Sequence, residues 1–137
     1  MKKTSVYLLL PGMLMLIFIA LQSSCKKENS PSPQYYVKYH VKSSTIYVGV
    51  TLTAVIKDES NNYVTYSINS GNWEVTIGPV EAGFTAYFQV YHPGDSHGQL
   101  KLFPSIYVSM DNGPFTLECT DDSNVYRDEV EITYTIE

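Results

Sequence analysis

Tyr35-Tyr36-Val37-Lys38-Tyr39-His40-Val41-Lys42 places Tyr35, Val37, Tyr39 and Val41 at alternate positions, with Tyr36, Lys38, His40 and Lys42 between them. A period of two is the mark of a strand with one buried face, because successive side chains point to opposite sides of a sheet. The same period continues through Ile46, Val48, Val50, Leu52, Ala54 and Ile56, a long second strand closed by the turn-forming run Asp58-Glu59-Ser60-Asn61-Asn62. A third strand is expected over Tyr63 to Ile68 and a fourth over Trp73 to Ile77, joined through Asn69-Ser70-Gly71-Asn72. Gly78-Pro79 is expected to break the fourth strand. A fifth strand spans Phe84 to Tyr91, and Pro-Gly content makes His92 to Gly98 a loop.

Leu100 to Met110 reads as a strand that Pro104 must interrupt or confine to an edge or bulge, since proline has no N–H for a ladder. Asn112-Gly113 accepts the positive φ angles of a type I′ turn and predicts a hairpin there. On the strand beyond it Phe115, Leu117 and Cys119 share a face. In the last strand, Asp128 to Glu137, Val130, Ile132, Tyr134 and Ile136 face inward, and Glu129, Glu131, Thr133 and Thr135 outward. No stretch beyond Tyr35 sustains a helical period. Roughly seven to eight short strands predict an all-β, antiparallel, immunoglobulin-like β-sandwich over 35–137, with a small closed barrel as the alternative.

The stretch before the strands has a different chemistry. Lys2 and Lys3 precede an uncharged apolar run from Val6 to Leu21, then Ser23-Ser24-Cys25, which is the plan of an export signal. The run is short for a spanning helix and Pro11-Gly12 interrupts it. Leu21-Gln22-Ser23-Ser24-Cys25 resembles the lipobox of bacterial lipoproteins, with Gln22 where leucine is usual. That resemblance implies diacylation of the Cys25 thiol and cleavage before it, so that residues 1–24 are a lipoprotein signal peptide and 25–34 a lipidated cysteine with a Pro/Ser-rich linker. Cys25-Lys26-Lys27-Glu28-Asn29 resembles the charged tracts that follow this cysteine in lipoproteins of Bacteroidetes-type envelopes, where such tracts can direct export to the cell surface.

Charge sharpens after this division. The whole chain carries 9 basic against 14 acidic side chains. Removing residues 1–24 takes Lys2 and Lys3 and no acid, leaving 7 against 14 on 113 residues. A chain this acidic lacks the basic patch that a phosphate backbone requires, so no nucleic-acid partner is expected. The 2 cysteines exclude a disulfide scaffold and paired CxxC zinc sites.

Over 35–137 the residues Trp73-Glu74-Val75-Thr76-Ile77-Gly78-Pro79-Val80, Gly83-Phe84, Ile106-Tyr107-Val108, Asp111-Asn112-Gly113-Pro114-Phe115 and Tyr134-Thr135-Ile136 resemble small β-sandwich lipoproteins of Bacteroidetes-type bacteria. A fainter similarity reaches the membrane-anchored accessory proteins of mycobacterial lipid transporters. Both resemblances imply a fold and an outer-membrane location, on the periplasmic or the surface side, and neither supplies a site.

Candidates for chemistry are sparse. Cys119, sharing a face with Phe115 and Leu117, is expected to be a buried thiol filling core space. His92, Asp95 and His97 could form part of a transition-metal site, against solvated loop residues as the plainer reading. Asp58-Ser60-Asn62 imitates the start of a calcium loop, but Tyr63 stands where glycine is needed and Asn69 where glutamate is needed, so a turn is expected. The acidic residues Asp121, Asp122, Asp128, Glu129 and Glu131 could meet a cation or basic partner, and more commonly guard strand edges. Nucleophile elbows, zinc-protease motifs and phosphate-cradling loops are missing from the sequence.

Of 12 tyrosines, Tyr7 belongs to the signal. Tyr36, Tyr47, Tyr87 and Tyr107 are candidate binding residues, since a ring with a polar tip suits sugar or protein ligands; Tyr63, Tyr66 and Tyr91 are equally unassigned to a face. The expectation is a non-enzymatic, cofactor-free envelope lipoprotein, held to the membrane by its lipid and displaying an acidic β-sandwich as a binding or assembly module for a protein or glycan. The alternatives are an accessory or structural subunit of an envelope transport complex and an inhibitor or immunity-type lipoprotein.

Overall fold

A computed structural model describes residues 31–44, 51–94 and 99–137, and Ser32–Glu137 form one compact unit. The expectations for the signal, Cys25 and most of the linker lie outside the described residues, as do Ile46, Tyr47, Val48, Val50, Asp95 and His97. Eight strands are described: β1 Tyr35–Ser43, β2 Leu52–Lys57, β3 Tyr63–Ile68, β4 Asn72–Val80, β5 Thr85–Tyr91, β6 Leu102–Met110, β7 Thr116–Thr120 and β8 Glu129–Thr135. They form two antiparallel four-stranded sheets, β4-β1-β6-β7 and β3-β2-β5-β8. The chain is therefore an all-β sandwich. Its strand order is its own: in immunoglobulin domains the last strand pairs with the one just before it, whereas here β8 pairs with β5 and β6 lies beside β1.

Alternation explains the core. Val37, Tyr39 and Val41 from β1, Leu52, Ala54 and Ile56 from β2, Ala86, Phe88 and Val90 from β5, and Val130 and Ile132 from β8 are all buried in one cluster. Tyr39 is fully buried, and its hydroxyl donates to the Lys57 carbonyl across the sandwich at 2.9 Å. That bond gives the phenol a partner and ties β1 to β2. Burial raises the Tyr39 pKa well above the ordinary tyrosine value.

Proline behaves differently from expectation at two places. β4 is not broken at Gly78-Pro79 but runs on to Val80, with a cis bond at that pair and a register slip opposite Tyr35/Val37. β4 ends its sheet, so the missing N–H costs no ladder bond there. Pro104 lies in an interior strand, opposite Val41, and is fully buried. The Pro104 carbonyl accepts from Asp121 N at 3.1 Å, beyond the last residue of β7. Its nitrogen thus faces the side on which the β7 ladder is ending, and the β1 ladder is complete.

The β6–β7 hairpin corrects two further expectations. Positive φ falls on Asp111 (50°) and Asn112 (60°), and Gly113 N donates to Met110 O at 2.8 Å. The type I′ turn therefore sits one residue earlier than Asn112-Gly113, because both Asp and Asn tolerate left-handed backbone. Beyond it, Ile106 pairs with Cys119 while the next residue, Tyr107, pairs with Leu117. The extra residue, Glu118, is a bulge: Leu117 faces outward opposite Tyr107, and Cys119 beyond the bulge turns inward opposite Ile106. Phe115 and Leu117 are exposed, so the shared face expected for Phe115, Leu117 and Cys119 does not exist.

Candidate functional site

Phe115 and Leu117 bring exposed apolar side chains together on the β6–β7 hairpin. They are exposed by 38 and 49%, and Leu117 pairs with Tyr107, so it stands on the outer side of β6; Met110, exposed by 54%, has the opposite, core-side parity of Val108. β1 crosses next to them with its outward row Tyr36, Lys38, His40 and Lys42, in register with Ser109, Tyr107, Ser105 and Phe103 of β6. The Lys38 ammonium lies 4.9 Å from the Tyr107 ring centroid and 4.7 Å from that of Phe115. Each such contact is worth about 0.5–1 kcal/mol at an exposed position, enough to hold the ammonium over the rings. His40 tilts toward Tyr107 at 6.3 Å and shares a 2.6 Å hydrogen bond with Asn72 Oδ1.

Two lysines and a histidine thus project from a single strand of a domain that is acidic overall. Across the other neighbour, β4, this row meets Thr76, Glu74 and Asn72, so Glu74 is the one carboxylate paired with it. The face is mixed aromatic and basic. Just before β1, Gln34 is fastened to the β6–β7 turn: Gln34 N donates to Asp111 Oδ1 at 2.9 Å and Gln34 O accepts from Asp111 N at 2.8 Å.

Of the candidate tyrosines, Tyr36 and Tyr107 belong to this outer face. Tyr87 does not: it lies on the outer side of the opposite sheet, edge-on to Tyr63 at 5.1 Å, with its hydroxyl donating to Glu131 Oε2 at 2.9 Å. Gln89 Nε2 donates to Glu129 Oε1 at 2.5 Å on the same side. That second face is acidic, and its aromatic rings and carboxylates are already paired with one another. Tyr66 packs on Trp73 at 5.3 Å at the open side of the sandwich and belongs to the core margin. Sequence reasoning missed Lys38, Phe115 and Leu117, since only the pairing with β6 tells which way the last two point.

Burial first, and then the Glu131 carboxylate, push the Tyr87 phenol up to about 12. The native state therefore keeps a proton that the unfolded chain loses near pH 10, and stability falls as pH rises from about 10 to 12. Tyr87→Phe is expected to flatten that alkaline fall and to remove one late-titrating phenol from the tyrosinate absorbance curve. An unchanged curve would contradict the Tyr87–Glu131 bond.

The other candidate groups are engaged structurally. Cys119 is half-buried and packs against the margin of the core, on the strand that ends its sheet. Desolvation and then Asp121 raise its pKa, which favours the thiol over the nucleophilic thiolate. His92 Nδ1 accepts from Gly94 N at 3.2 Å, and His92 N donates to Asp128 O at 2.8 Å. Asp58 closes its turn by accepting from Ser60 N at 2.9 Å and Asn62 N at 2.8 Å with one carboxylate oxygen. Asp121 accepts from Arg127 Nη1 at 2.7 Å, and this hydrogen bond holds its carboxyl well below the usual range. Arg127 Nη2 also reaches Ser123 Oγ at 2.9 Å, so the pair fastens the β7–β8 connection to itself.

No known protein-family model matches the chain, and no curated protein aligns with it.

Proposed function

We propose that the chain is a lipid-anchored envelope protein whose β-sandwich is a non-catalytic binding module, and that it takes its ligand on the outer side of the β4-β1-β6-β7 sheet. The observation that carries this reading is the grouping of Lys38, Tyr107, Phe115 and Leu117 on one outer face. An exposed leucine beside two aromatic rings and an ammonium is the composition of a contact surface rather than of a face that meets only water. Rings offer apolar faces to the C–H side of a sugar, and Lys38 and Lys42 offer positive charge alongside. The matching ligand is an anionic polysaccharide.

The test is binding of the full chain to polygalacturonate, with uncharged dextran as the comparison. Wild type binds the polyuronate and weakens as salt rises. A Tyr107→Ala, Phe115→Ala double variant loses at least about tenfold in affinity, corresponding to about 1.4 kcal/mol, whereas Tyr87→Ala on the opposite face retains it. Loss of binding in Tyr87→Ala with retention in the double variant would reverse the assignment of the face.

A further inference from the structure

A β-sandwich has four edge strands, and in this one they are β4 and β7 on one sheet and β3 and β8 on the other. Unpaired backbone along an edge recruits other strands unless something blocks it. Three of these edges carry a block. β4 has Glu74, Pro79 and a register slip against β1, β7 is five residues long and bulged at Glu118, and β8 carries Glu129 and Glu131. β3 carries none: Tyr63-Val64-Thr65-Tyr66-Ser67-Ile68 has no charge, proline or glycine, and it pairs with β2 in unbroken register.

The ladder shows which residues face the open side. Asp58 N donates to Asn62 O at 2.9 Å, so these two form a hydrogen-bonded pair. Alternation then directs the backbone groups of Val64, Tyr66 and Ile68 toward β2, and those of Tyr63, Thr65 and Ser67 toward the free edge. Their side chains point to the solvent side of the sheet and are exposed.

We infer that β3 is a self-association edge, joining two copies of this chain antiparallel about a twofold axis at Thr65. Thr65 then faces Thr65 of the second copy, and Tyr63 faces Ser67, for about six new backbone hydrogen bonds. Cross-strand threonine pairs are favourable, and Val64 and Tyr66 meet on the core side, covering an apolar margin that is only half-buried in one copy. Charge placement permits it despite the acidic composition. The acidic β2–β3 turn, Asp58-Glu59, comes beside the uncharged Asn69-Ser70-Gly71-Asn72 turn of the other copy rather than beside itself. Glu129 and Glu131 lie three strands away, roughly 14 Å from the junction. The two copies form one continuous eight-stranded sheet, and the outer sides of both β4-β1-β6-β7 sheets turn the same way. A pair so built presents two binding faces to one polymer, which multiplies affinity without new contacts. The inference stands on the edge alone and is independent of the ligand.

Sedimentation velocity of the full chain in detergent micelles tests it, with thermal melting of each variant as a fold control. Wild type should sediment as a dimer. Thr65→Lys, which places a charge at the twofold axis, should give a monomer that still melts cooperatively, and Ser67→Lys should do the same should Thr65→Lys prove misfolded. Thr133→Lys, on the β8 edge, should leave the dimer intact. A monomeric wild type, a dimer that survives both β3 charges, or a dimer equally lost in Thr133→Lys would overturn the assignment.

Discussion

Phe88→Ala is expected to lower the stability of the sandwich by about 3–5 kcal/mol, the range for removing a large aromatic ring from a packed core. Phe88 is fully buried on β5, opposite Ile56 of β2 and Ile132 of β8. It touches the other sheet edge-on through Tyr39, with ring centroids 5.4 Å apart, and lies 6.1 Å from Trp73. Three aromatic rings thus bridge the two sheets. The hole cannot be refilled cheaply, because Tyr39 is held by its bond to the Lys57 carbonyl and Trp73 by its contact with Tyr66. For a domain of this size the loss corresponds to a fall of roughly 15–30 °C in melting temperature. Circular dichroism on thermal melting reads it directly, and a fall of under about 5 °C would mean that Phe88 is not the keystone of the core.

Gly78→Ala is the second large effect, by a different mechanism. Gly78 has φ of +131°, a region that side chains rarely enter, and a Cβ there would lie 2.8 Å from the Tyr35 carbonyl oxygen and 2.9 Å from Tyr36 Cδ1. The first neighbour is backbone of the adjacent strand and cannot swing aside. Strain and overpacking together are expected to cost about 3 kcal/mol or more. Gly83→Ala supplies the matched comparison, since Gly83 also has positive φ, +88°, but nothing lies within 4 Å of its would-be Cβ. It should lose only the backbone share, about 1 kcal/mol. Equal losses in the two variants would show that the close approach of β1 to Gly78 is not what requires glycine.

The sequence made the strands legible where one face is buried and the other wet. β1, β3, β5 and β8 lie within a residue or two of where alternation puts them, because a register slip there would drive Val37, Phe88 or Ile132 into water. Proline misled, since its cost depends on which side of a strand lacks a neighbour, and that is a property of the sheet. Pro79 sits on an edge and Pro104 at the end of a ladder, neither of which shows in the local sequence. The hairpin was legible to one residue, as Asp111-Asn112-Gly113 offers two adjacent pairs that both accept left-handed backbone.

The candidate face was least legible. Period two assigned Leu117 and Cys119 to one side, and the bulge at Glu118 separated them. That single inserted residue keeps Cys119 off the face that carries Leu117 and leaves it half-buried against the core. Tyr107 was among the candidates and Lys38 was not, although the ammonium of Lys38 is what holds the Tyr107 and Phe115 rings together. A cation over one ring from β6 and another from the hairpin loop is a contact of the fold and not of any local motif.

Tether, binding face and paired edge make one account, and its central claim is that Cys25 carries the lipid that holds the module at the envelope. Metabolic labelling of the full chain with an alkyne fatty acid, followed by membrane fractionation, tests that claim most directly. The account predicts a labelled wild type in the membrane fraction and, for Cys25→Ala, loss of both the label and the membrane association. A Cys25→Ala chain that keeps its label or stays with the membrane would contradict it.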